Sequence, residues 1–103
     1  MFRLRSAAIA AFALAATAQS VGAHAQNTTG RDLAASCAMC HGTNGRSSTG
    51  YEPLAGMAKQ DMVRKLNGFR SGAIPATVMH QIAKGYSDFQ IEAIADYFSA
   101  QKR

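Results

Sequence analysis

Apolar residues recur at helical spacing in three stretches of the chain and alternate nowhere, so the pattern predicts helices without strands. The last stretch carries the clearest signal. Ile91, Ile94, Ala95 and Phe98 fall at i, i+3, i+4 and i+7, Ser87 and Gln90 occupy the two ends of a capping box, and Tyr86 and Ile91 take the hydrophobic-staple positions. Asp88 at its start and Lys102-Arg103 at its end complement the helix dipole. Met62, Val63, Leu66 and Phe69 predict a second helix stopped by Gly72, with Gly68 a weak point inside it. Leu33, Ala34, Cys37 and Cys40 share one rough stripe behind Thr29, a hydroxyl cap with Asp32 three residues on, which predicts a helix from about Gly30 into the cysteines. Pro75 breaks the chain, and Val78 to Lys84 forms a short helix ended by Gly85. Residues 42–50 include three Gly, two Ser and two Thr and read as a loop. The fold class is all-α.

Composition narrows this to one domain. The chain has 103 residues, 48% hydrophobic and 17% charged, with two Cys and no Trp, which fits neither a disordered chain nor a disulfide scaffold. Residues 1–25 stand apart: a basic start with Arg3 and Arg5, a small-apolar run from Ala7 to Ala18, and Ala23-His24-Ala25 as an A-x-A site, together a secretory signal. Ala18, ending Ala16-Thr17-Ala18, is an alternative cleavage point. The apolar run is shorter than the ~20 residues a spanning helix needs, so the expectation is a periplasmic protein with no membrane span after processing. Cleavage after Ala25 leaves residues 26–103 as a single domain, and removing Arg3 and Arg5 lowers the formal charge from +5 to +3. A domain of that size draws only ~3–5 kcal/mol from its own core, so a bound group is expected to complete it.

Cys37-Ala38-Met39-Cys40-His41 supplies that group's attachment. On a helical turn two side chains three apart share a face at ~5–6 Å, within reach of neighbouring vinyl groups of one porphyrin. The residue after the second thiol then brings an imidazole to the iron, which is why C-x-x-C-H reads as covalent haem attachment. A thioredoxin-like dithiol needs a βαβ setting that the pattern lacks. A zinc site of Cys37, Cys40, His41 and His80 lacks a second ligand pair at similar spacing. On the other face of the haem the axial candidates are Met57, Met62, Met79 and His80, since Met39 lies inside the attachment motif. Met62 reads as core filler and His80 as a surface or hydrogen-bonded residue, while spacing alone does not decide between Met57 and Met79.

From Gly30 to Phe98 the chain resembles the small bacterial class I cytochromes c, through Cys37-Ala38-Met39-Cys40-His41-Gly42-Thr43-Asn44-Gly45, then Leu54-Ala55-Gly56, then Met79 nine residues before Asp88, and Ala95-Asp96-Tyr97-Phe98 at the end. The resemblance implies about four helices around one covalently bound haem c, held by Cys37 and Cys40, with His41 and Met79 as iron ligands and Met57 as the fallback. It also implies that Gly30 and Ala34 let the last helix cross closely near Ile94 and Phe98. The stretch from Val78 to Asp88, with Ala76-Thr77 ahead of it, is similar to the cytochrome subunits of flavocytochrome c sulfide dehydrogenases. Many relatives place a Pro two residues before the Leu, and its carbonyl accepts the ligand imidazole N–H. Here that position is Glu52, in Glu52-Pro53-Leu54, which leaves open the carbonyl that orients His41.

An iron with both axial positions filled moves single electrons and turns over no substrate by itself. Thioether ligation, and burial by Leu54, Leu66, Phe69, Ile82, Ile91 and Ile94, predict a comparatively high potential. The implied role is an electron-transfer subunit whose redox partner is a flavoprotein sulfide dehydrogenase subunit. The alternatives are a free-standing soluble carrier, and a haem enzyme or gas sensor with a displaceable sixth ligand. Lys59, Arg64, Lys65 and Arg70 against Asp61 read either as a solvated helix face or as a docking surface for an acidic partner. At +3 the domain lacks the basic stripe of a nucleic-acid binder.

Overall fold

Both hydrogen bonds of the Ser87 capping box are made: Ser87 Oγ accepts the Gln90 N–H at 3.2 Å, and Gln90 Oε1 accepts the Ser87 N–H at 2.9 Å. In the computed structural model, which describes residues 21–103 and side chains from residue 28, this cap opens the last of five α-helical segments. They are α1 (Val21–Ala34), α2 (Ala38–His41), α3 (Lys59–Ser71), α4 (Met79–Ala83) and α5 (Asp88–Ser99). A 3-10 turn, Ala35–Cys37, joins α1 to α2, so the two form one bent rod and the fold counts as four helical units. No strand occurs among the described residues. Most of the expected leader, residues 1–20, lies outside them.

The core sits where α5 meets α1, α3 and α4. Ile91, Ala93, Ile94, Ala95 and Phe98 are all buried on α5, and Ala34, Met62, Leu66 and Ala83 join them from the other three helices. The crossing of α1 over α5 is tighter than ordinary side chains allow. A Cβ on buried Gly30 would stand 2.4 Å from the Ala93 carbonyl oxygen and 3.2 Å from Tyr97 Cβ. The contact falls at Ala93 and Tyr97, next to the expected Ile94 and Phe98, which line a cleft. Gly30→Val should therefore destabilise the haem-loaded protein by about 2–3 kcal/mol, since the crossing backbone must move apart. The denaturant midpoint measures this, and an unchanged midpoint would contradict it.

Three features differ from the sequence pattern. Thr29 is not a cap, because the chain upstream continues the helix to Val21 and no helix end exists there to be capped. Lys102 and Arg103 lie past the last turn of α5 and do not serve its dipole. They tie down loops instead: the Lys102 carbonyl accepts from Arg46 Nε at 2.9 Å, and Arg103 reaches the Gly56 carbonyl. Finally, Gly68 is no flaw in α3. After Gly72 turns the chain in the left-handed region, Ile74 packs directly over Gly68, where a Cβ would meet Ile74 Cδ1 at 2.4 Å.

Candidate haem site

The Cys37–His41 turn faces a cleft of about 320 Å³. Cys37, Cys40 and His41 form part of its lining, Leu54 and Met57 come from the following loop, Met62, Leu66 and Phe69 from α3, Met79 and Ile82 from α4, and Ile94 and Phe98 from α5. Thr49 Oγ1 donates to the Cys40 carbonyl at 3.0 Å and the Gly42 N–H to the Ala38 carbonyl at 3.0 Å, which closes the turn behind the thiols. No disulfide joins Cys37 and Cys40, and burial beside the apolar wall pushes the Cys37 thiol up. Ile91 is an exception to the expected lining: it is fully buried in the helix core behind the cleft and does not face it.

His41 is held by a single short contact, 2.6 Å from Nδ1 to the Glu52 carbonyl oxygen. A carbonyl only accepts, so Nδ1 carries the proton and Nε2 keeps the lone pair that can bind a metal. The question left by the missing proline is thus answered: the residue two before Leu54 still supplies the carbonyl, although it is a glutamate. Tyr51 packs its ring near His41, with centroids 6.0 Å apart, and stands exposed at the cleft mouth with Val78 and Ile82. No motif or spacing pointed to Tyr51. The offset of Glu52 from Leu54 was the signal for the carbonyl.

The axial candidates separate in space. Met57, Met62 and Met79 all line the cleft, whereas Met39 is 89% exposed outside it. His80 faces a second hollow beside Ile74, Pro75 and Lys84, with Nδ1 buried and without a partner. That placement takes His80 out of a site with Cys37, Cys40 and His41, and among the described residues no three His, Cys, Asp or Glu side chains come together as a metal-holding group.

The basic run on α3 resolves in favour of the solvated face. Lys59 bonds Glu92 and Asp96 at 3.1 and 3.0 Å, Arg64 pairs with Asp61, Lys65 with Glu52, and Arg70 with Asp88. Each cation that made this segment look like a docking surface thus has an acid beside it, three of those acids coming from α5, so the charge does not accumulate. The pairing was invisible in sequence because every partner but Asp61 is more than ten residues away.

An apolar cleft with two thiols on one turn and an imidazole presenting a free Nε2 has the donor set and wall chemistry that a covalently bound porphyrin iron requires. The group supplies a one-electron iron couple. Comparisons with known proteins agree. The chain is 41% identical over 69 residues to the cytochrome subunit of sulfide dehydrogenase of Chlorobaculum tepidum, covering 67% of this chain and 63% of that protein. It is 41% identical over 71 residues to the thiosulfate dehydrogenase electron acceptor of Thiomonas intermedia, covering 67% and 33%. It is 32% identical over 77 residues to cytochrome c-554(548) of Halomonas halodenitrificans, covering 71% and 93%. The chain thus spans less than two thirds of the first two relatives. No helix among the described residues is long and apolar enough to cross a membrane. Since the cytochrome c family profile matches residues 28–102, the chain belongs to the cytochrome c family and is an electron carrier with covalently attached haem c.

Proposed function

We propose that the haem is attached through Cys37 and Cys40, that its iron is bound by His41 Nε2 and the Met79 sulfur, and that the protein is the haem subunit of a sulfide-oxidising flavocytochrome c dehydrogenase. The observation that carries the ligand set is the meeting of His41 and Met79 in one cleft, with the imidazole fixed in the metal-binding tautomer. Met79 is favoured over Met57 by where each is anchored. The segment bearing Met57 is tied to the His41 side, by Glu52 to His41 and by the Leu54 and Ala55 N–H groups to the Gly45 carbonyl. Met79 starts α4, which packs on α3. With both axial positions filled and apolar walls around the ring, the couple has a comparatively high potential and passes single electrons at the open mouth near Tyr51, Val78 and Ile82.

The leader, residues 1–25, takes the chain to the periplasm, where residues 26–103 mature. Two relatives named for sulfur-compound dehydrogenases support a dehydrogenase partner, with a flavoprotein as electron donor. A second reading, a free-standing carrier, is favoured by the length match to cytochrome c-554(548). Purification of the mature protein from its own source decides: co-elution with a flavoprotein and reduction by sulfide support the first, and a monomer reduced equally by unrelated donors overturns it. Because the α3 cations are already paired, Arg64→Gln should change the low-salt electron-exchange rate with that partner by no more than about twofold. A tenfold loss that fades with added salt would restore α3 as the docking face.

A further inference from the structure

Glu52 engages two partners at once. Its carbonyl accepts the His41 Nδ1–H, and its carboxylate is ion-paired with Lys65 Nζ from the middle of α3. Downstream the backbone is secured independently, since Pro53 confines Glu52 to extended conformations and Leu54 and Ala55 donate to the Gly45 carbonyl at 2.9 and 3.2 Å. Upstream it is not: among the described residues, 50–53 make no backbone-to-backbone hydrogen bond. A proline at position 52 would stiffen this stretch by its ring. Glutamate has no such restraint, and its side chain reaches instead to a rigid helix.

We infer that the Lys65–Glu52 ion pair is a positioning device that holds the Glu52 carbonyl on His41 Nδ1. It thereby sets the orientation and basicity of the imidazole, and so the potential of the iron that His41 serves under the proposed function. The pair does this from the edge of the cleft, with side chains 31% and 50% exposed, while Lys65 also neutralises the carboxylate nearest the site.

The test uses the haem-loaded protein and the variants Lys65→Gln, Glu52→Gln, the double variant and Lys65→Arg. In the reduced protein, hydrogen exchange at His41 Nδ1–H should speed up roughly two- to fivefold in the first three, the population change a half-exposed ion pair can produce, and return near the parent rate in Lys65→Arg. The potential of the double variant should stay displaced from the parent although its net charge is the same. The inference is overturned if exchange is unchanged throughout while Lys65→Gln lowers the potential, Glu52→Gln raises it and the double variant restores it, because the pair then acts through charge alone. The parent spectrum is read first: absence of a low-spin, histidine-bound iron would overturn the ligand assignment and this inference with it.

Discussion

Met79→Ala should abolish the sulfur-to-iron charge-transfer band of the ferric protein, open the reduced protein to carbon monoxide, and lower the potential by on the order of 0.1 V, a fraction of the ~0.8 V range that axial ligation spans. The sign follows from the ligand. A thioether stabilises the ferrous state, and its removal admits water or a weaker donor that favours the ferric one. Met57→Ala should leave all three properties close to the parent. Reversal of this pattern would move the axial role to Met57, which lines the same cleft. A parent protein that already binds carbon monoxide at neutral pH would instead support the reading as a gas sensor or haem enzyme.

The second large effect concerns folding. Cys37→Ala/Cys40→Ala removes both attachment points, and the chain should then lose cooperative tertiary structure and become largely unfolded or molten. The cleft is about 320 Å³, and leaving such a space unfilled in a closed core would cost up to ~8 kcal/mol at the measured scaling of cavity energy with volume. Water entering the open mouth reduces that figure, yet half of it already offsets the ~3–5 kcal/mol that a domain of this size obtains from its core. Loss of near-ultraviolet circular dichroism and of a sigmoidal denaturant transition is the expected outcome. A cooperative transition in the doubly substituted, haem-free chain would show that the helices suffice without the ring.

Local rules carried the sequence reading where the signal was local. The Ser87–Gln90 box, the Gly72 stop and the α5 stripe each depend on residues within one or two turns, and all three are realised. The attachment motif was equally compact. What eluded the sequence depends mostly on contacts distant along the chain: the pairing of α3 cations with Glu52, Asp88, Glu92 and Asp96, and the facing of Ile91 into the helix core. The packing of Ile74 over Gly68 is near in sequence but depends on the chain reversal at Gly72, which no hydrophobic period reports. Thr29 failed as a cap for a different reason, since capping needs a helix end and the helix continues to Val21. The resemblance supplied the choice of Met79, which neither hydrophobic pattern nor spacing could make.

The most direct measurement is a mass spectrum of proteolytic peptides from the exported, iodoacetamide-treated protein. The account predicts one haem on the peptide that contains Cys37, Cys40 and His41, with neither sulfur alkylated. Recovery of that peptide without haem, with both thiols capped by the reagent, would contradict it.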